Sequence, residues 1–189
     1  PMKIVTAGTM RELERRTIEE FNIKGEVLMD RAGFGVANTV RRLADVSGFS
    51  NAFIHLIAGR GNNGGDAFCA ARHLKELGFT VEVWLAGSIN QVTGDASIYL
   101  SKLKGAKIRV EELPTMEDWQ AALGQPLPAE IIVDGVLGTG ITGPARGPAA
   151  GAIQYIRAQA NESLVVSTDV PSGLHADTGR TEGDTVMAD

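Results

Sequence analysis

Five short apolar runs alternate with helical segments from residue 53 onward, and this alternation constrains the fold more than any other feature of the chain. The runs are 53–58, 81–85, 107–110, 131–133 and 164–167, and the helical segments between and around them fall near 66–77, 94–104, 117–123 and 148–160. Strands that are apolar throughout, each followed by a helix-length segment, imply a parallel sheet covered on both faces. The first fifty residues read as helix alone. Thr9 and Glu12 fit a T-x-x-E capping box, and Leu13, Thr17, Ile18 and Phe21 continue one face until Gly25 ends the helix. Leu28, Met29, Ala32, Val36, Val40 and Leu43 then repeat at helical spacing.

The expected architecture is a Rossmann-like three-layer α/β/α sandwich with a mostly parallel sheet and an N-terminal helical pair. A single domain over 1–189 accounts for the whole pattern, because 189 residues suffice for one sizeable core. A formal charge of −5 argues against a nucleic-acid or anionic-membrane partner. No apolar run reaches membrane-span length, and the opening stretch from Met2 lacks the layout of a signal peptide. The single Cys69 cannot form an internal disulfide, which suits a reducing, cytoplasmic setting. It sits among alanines, where a buried thiol behaves as a small hydrophobe. His55 and His73 read as structural.

In such folds ligands sit outside the carboxyl ends of the strands. Three strand ends carry unusual chemistry: 59–66 (GRGNNGGD), 134–148 (DGVLGTGITGPARGP) and 169–179 (DVPSGLHADTG). Glycines between the first strand and its helix let a ligand approach the backbone, and the helix start offers free N–H groups to an anion. Gly59, Gly61 and Gly64 satisfy G-x-G-x-x-G, but the second strand ends in Trp84-Leu85-Ala86-Gly87 with no acid for a ribose. The ordinary NAD dehydrogenase is therefore a minority reading, and no Gly-Lys-Ser/Thr supports a P-loop. Asp134 and Asp169 each follow a buried strand. Alone, either would be read as a cap; on one rim, facing an anion-receptive turn, they read as a site. Asn63, Asp134 and Ser172 offer one carboxylate and neutral oxygens, a set better suited to a monovalent cation than to Ca²⁺ or Mg²⁺.

These three loops, in order and spacing, resemble the NAD(P)H-hydrate epimerase family, the YjeF N-terminal domain. Its marks are a G-x-G-N-N-G-G-D loop, an Asp-x-x-x-G-T-G loop and an Asp-Ile/Val-Pro-Ser-Gly-Leu turn. The opening Met10-Arg11-Glu12-Leu13 and the segment Leu28-Met29-Asp30-Arg31-Ala32-Gly33 resemble it too. The resemblance covers nearly the whole chain. It implies interconversion of the R and S hydrates of NADH and NADPH at nicotinamide C6, a repair step whose S product a fused or separate dehydratase returns to cofactor. It further implies that Asn62, Asn63, Gly64, Gly65 and Asp66, with Gly138, Thr139, Gly140, Ile141, Thr142, Gly143 and Pro144, bind the hydrated dinucleotide. Asp169 would contact the reacting ring, and Asn63, Asp134 and Ser172 would hold one potassium ion per subunit of a homodimer.

The chemistry of the residues agrees with that implication. Loss of the C6 hydroxyl gives an iminium-like centre that water re-enters from either face, so the site needs one carboxylate that gives and takes a proton. Asp169, fixed at the pocket floor, is the first choice, and Asp66 the second. The sequence departs from the family pattern at Ala67, where Gly is usual, and at His175, where Asp is common. The chain is also expected to be truncated at its C-terminus, where family members continue. Two other classes stay open: a non-catalytic nucleotide-binding or scaffold protein of the same fold, and another dinucleotide enzyme such as a reductase.

Overall fold

The computed structural model describes residues 4–189; residues 1–3, part of the stretch read against a signal peptide, lie outside it. Five strands form one wholly parallel sheet: β1 (Phe53–Ala58), β2 (Thr80–Leu85), β3 (Arg109–Glu112), β4 (Ile131–Gly135) and β5 (Leu164–Ser167). Their order is β3-β2-β1-β4-β5. The chain therefore builds outward from β1 in one direction, then returns to its other side, and the crevice between the ends of β1 and β4 is a topological switch point. Helices α2 (Gly25–Ser47), α3 (Asn62–Glu76) and α4 (Gly94–Gly105) cover one face. Helices α5 (Met116–Leu123) and α6 (Pro148–Gln159) cover the other.

The two cores follow from the strand period. Ile54, Leu56 and Ala58 of β1 point into the α2/α3/α4 layer, whereas Ile57 points into the α5/α6 layer. Both sets are fully buried, which is why the strands read as continuous apolar runs. Small residues bring the helices close. A Cβ on Gly33 of α2 would lie 2.4 Å from Cβ of Cys69 on α3, so only hydrogen fits there. Cys69 is buried, and its surroundings push the thiol up to about 12, chiefly by burial and then by the Asp30 carboxylate.

The N-terminal pair is present, but its details differ from expectation. Helix α1 (Ala7–Phe21) is capped by Thr6, whose hydroxyl accepts the Thr9 N–H; Thr9 is inside the first turn and forms no box with Glu12. Glu12 instead binds Arg15. The helix ends at Asn22 in the left-handed conformation, a role Asn fills nearly as well as Gly, and Gly25 opens α2 rather than closing α1. The face of Leu13, Ile18 and Phe21 is not covered: Phe21 is 67% exposed. Among the described residues no helix is long and apolar enough to cross a membrane.

Candidate functional site at the switch point

Helix α3 begins at Asn62, four residues earlier than its sequence suggests, with extended Gly61 as its cap. The Gly65 N–H reaches the Gly61 carbonyl at 3.0 Å, so the N–H groups of Asn62, Asn63 and Gly64 are the free donors of the first turn. They face the switch-point crevice. The tightness of this turn explains most of its glycines. A Cβ on Gly64 would meet the Gly59 carbonyl oxygen at 1.9 Å, and one on Gly59 would meet that of Val136 at 2.0 Å. Gly65 is closed in the same way by Met29 and the Cα of Ala96. Only Gly61 opens onto free space. The expectation that all these glycines clear a path for ligand is corrected: Gly59, Gly64 and Gly65 let backbone pack on backbone, and Gly61 alone gives ligand access.

Asp134, at the end of β4, is fully buried. Its Oδ1 accepts from the Ser172 hydroxyl at 2.5 Å and from the Val136 N–H at 3.3 Å. Its Oδ2 accepts from the Ser172 N–H at 2.8 Å and the Ser167 hydroxyl at 2.9 Å. Burial raises its pKa, and these hydrogen bonds, led by Ser172, oppose the rise. Asp134 is thus below the rim rather than on it, and Ser172 turns toward Asp134 rather than Asp169. Asn63 stands close by: the Thr168 hydroxyl, itself 3.3 Å from the Asp134 carbonyl, donates to Asn63 Oδ1 at 2.5 Å. Asn63 Nδ2 is buried with no hydrogen-bond partner among the described residues.

Asp169 does reach the rim. Its Oδ2 accepts the Thr139 N–H at 2.9 Å and lies 2.7 Å from where a Cβ on Gly138 would stand, so a side chain there would displace it. Asn63 flanks the same point. Asp169 is anchored but exposed, which corrects the expectation of a desolvated carboxylate at a pocket floor. The desolvated acid is Asp66, pushed up to about 7 by burial first, then by the charges of Asp169 and Glu14. The far part of the second loop, Gly140 to Pro144, runs outward from this point with Gly140, Thr142, Gly143 and Pro144 exposed.

The structure therefore brings Asn63, Asp66, Asp134, Gly138, Thr139, Asp169 and Ser172 together, with Asn62, Gly64 and Gly65 behind them in the α3 turn. Sequence reasoning missed Ser167 and Thr168. Both follow the apolar part of β5, and two adjacent hydroxyls next to Asp169 were the available signal. His55, a further fully buried ionisable group, lies outside the site among Trp84, Tyr155 and Phe53.

A parallel α/β sheet with an anion-receptive helix start and two strand-end aspartates at its switch point defines a Rossmann-like protein with a site for a small polar ligand. The family model described as YjeF-related protein N-terminus matches residues 25–189, and the chain belongs to this family. It is 34% identical to the NAD(P)H-hydrate epimerase of Rhodopirellula baltica, over 98% of this chain and 71% of that protein. It is 36% identical to the bifunctional NAD(P)H-hydrate repair enzyme Nnr of Salinibacter ruber, over 98% of this chain but 35% of that protein. The chain thus spans about a third of the length of such bifunctional relatives. The crystal structure of yeast ynu0 superposes with a TM-score of 0.85 at 27% identity, covering 99% of this chain and 78% of that one.

Proposed function

We propose that the chain interconverts the R and S hydrates of NADH and NADPH at nicotinamide C6. The observation that carries this reading is an anchored, exposed carboxylate, Asp169, held by the Gly138–Thr139 backbone beside the free amides of the α3 turn. Those amides receive a phosphate of the dinucleotide, and the Gly138–Pro144 loop lies along it. Asp169 gives a proton to the departing C6 hydroxyl and takes one from the water that re-enters. The reaction needs no hydride acceptor, which separates it from the reductase reading. The names of the relatives support the same activity. Chiral chromatography of an R-enriched hydrate sample tests it: the wild-type chain equilibrates the two forms. Asp169→Asn slows this by about 10²–10⁴ while dinucleotide binding persists. Equilibration by the variant at the wild-type rate removes Asp169 from the reaction.

Potassium, one ion per subunit, fits the residues below the rim. Asp134 is a fully buried carboxylate whose hydrogen bonds all come from neutral groups, and an isolated buried charge of this kind is costly without a cation. Asn63, Asp134 and Ser172 hold the ion, with one negative charge among hard neutral oxygens. The orphaned Asn63 amide supports this, because turning it over presents its oxygen to the same space. There the ion would supply charge compensation for the buried Asp134 carboxylate. A dehydratase, fused or separate, completes the repair. The uncovered face of α1 (Leu13, Ile18 and Phe21), together with Phe34 of α2, supports a homodimer, which light scattering measures directly. The lone buried thiol supports a cytoplasmic setting.

A further inference from the structure

The outer end of the Gly138–Pro144 loop walls a second space. A cavity of about 160 Å³ opens between Ile141 and Gly143 on one side and His175, Thr178, Arg180 and Glu182 on the other. The latter four lie on a turn fixed by its own backbone. Leu174 and Thr181 form an antiparallel bridge, the His175 N–H donates to the Arg180 carbonyl at 2.9 Å, and the Gly179 N–H donates to the His175 carbonyl at 2.8 Å. Asp177, an acid of the same turn, is committed elsewhere: its Oδ1 accepts the Ala7 N–H at the start of α1, 2.7 Å away. Arg180 makes no ion pair among the described residues, with Glu182 or any other acid. Its guanidinium is free for a ligand.

Position and chemistry then narrow the ligand. Gly138 lies against Asp169, the chain turns at Gly138–Ile141, where the Ile141 N–H reaches the Gly138 carbonyl at 3.3 Å, and Ile141 and Gly143 of the same loop wall the cavity. The loop thus joins Asp169 to the cavity, so a dinucleotide lying along it with its ring at Asp169 places its distal nucleoside at the cavity. At the ribose of a bound dinucleotide, a carboxylate selects the free 2′-hydroxyl and an arginine accommodates a 2′-phosphate. This cavity holds both, but Thr178 and His175 add donors to Arg180, and only Glu182 opposes them. We infer that the cavity takes the adenosine ribose, that Arg180 binds a 2′-phosphate there, and that the preferred substrate is the hydrate of NADPH rather than of NADH. The inference rests on the proposed dinucleotide site.

Calorimetric titration with NADP⁺ and NAD⁺ as stable probes tests it. The wild-type chain binds NADP⁺ more tightly than NAD⁺ by about tenfold or more, the worth of a charged hydrogen bond. Arg180→Gln removes that preference by weakening NADP⁺ alone, and Glu182→Gln widens it. Both residues are exposed, so unchanged melting temperatures show that the variants fold. Equal wild-type affinity for the two probes overturns the inference and leaves the dinucleotide site standing. An Arg180→Gln variant that weakens both probes equally also overturns it, because Arg180 then contacts the shared pyrophosphate. Binding of neither probe to the wild-type chain removes the dinucleotide site and this inference together.

Discussion

The aromatic layer beneath β1 contains a titratable group whose burial weakens the fold in acid. His55 is fully buried, both of its ring nitrogens lack hydrogen-bond partners, and it lies edge-on to Trp84 and Tyr155. Burial pushes its pKa from 6.5 down to about 3. The folded state therefore refuses a proton that the unfolded chain accepts below pH 6.5. Stability is full above that pH and falls through the interval down to about 3. At about 1.4 kcal/mol per pH unit, roughly 3 kcal/mol is lost by about pH 4.5, a large part of a typical domain's 5–15 kcal/mol. His55→Leu removes the titration and the two orphaned nitrogens, each of which costs about 1–3 kcal/mol. Urea melts of both proteins at several pH values give the difference in stability, which isolates His55 from every other titrating group. The variant's advantage should grow by about 3 kcal/mol between pH 6.5 and about 4.5. A difference that stays constant with pH refutes the reasoning. It would mean that His55 finds a partner on protonation, and Glu82 is the acid that the β1–β2 register puts beside it.

Other perturbations separate packing from chemistry. Gly64→Ala drives a Cβ into the Gly59 carbonyl and should cost about 1–3 kcal/mol or more in thermal melts, whereas Gly61→Ala meets open space and should leave the melting temperature unchanged while weakening dinucleotide binding. Potassium should raise the wild-type melting temperature in proportion to the logarithm of its concentration, and Asp134→Asn should abolish that dependence; a potassium response surviving in the variant places the ion elsewhere. Asp66, with its folded pKa raised from 3.8 to about 7, contributes stability that is present below 3.8 and lost as pH rises through 7, so Asp66→Asn should melt higher than wild type at about pH 8 and not at about pH 4.

Much of the fold was legible because burial on both faces leaves an unmistakable apolar run. Strands β1 and β5 fall where those runs lie, at Phe53–Ala58 and Leu164–Ser167. Strand β3 was expected at 107–110 but spans Arg109–Glu112, because an edge strand carrying Arg109, Glu111 and Glu112 has no apolar signature. The start of α3 was misplaced for a different reason. Two adjacent glycines disfavour a helix locally, but at Gly64 and Gly65 the contacts with Gly59 and Met29 leave no room for a side chain, so tertiary packing overrides propensity. The strand-end position of the three candidate loops was legible, and the family resemblance named the individual residues. Their orientations were not legible, because whether Ser172 turns to Asp134 or to Asp169 depends on the sharp chain reversal at Pro171–Leu174, a matter of backbone path that residue types alone do not specify.

The three aspartates near the switch point stand at three depths, and their depths agree with the separate roles proposed for them. Asp134 is sealed beneath the loops, and among the described residues the hydrogen bonds to its carboxylate come from Ser167, Ser172 and Val136. A group so enclosed cannot exchange a proton with a ligand, and its charge can act only on what binds beside it. Asp169 is exposed and fixed by a single backbone N–H, so one carboxylate oxygen remains free to face a ring. Asp66 lies between these extremes, desolvated enough to hold a proton near neutral pH yet close enough to Asp169 for the two charges to oppose each other. When Asp169 is ionised, Asp66 keeps its proton more tightly; when Asp169 accepts a proton, Asp66 releases its own more readily. A reaction that first protonates a leaving hydroxyl and then deprotonates an entering water balances on one carboxylate, which the first step leaves ionised for the second. In the proposed reaction Asp66 therefore sets the charge beside Asp169: held neutral by its burial, it does not oppose Asp169 when that carboxylate gives up its proton.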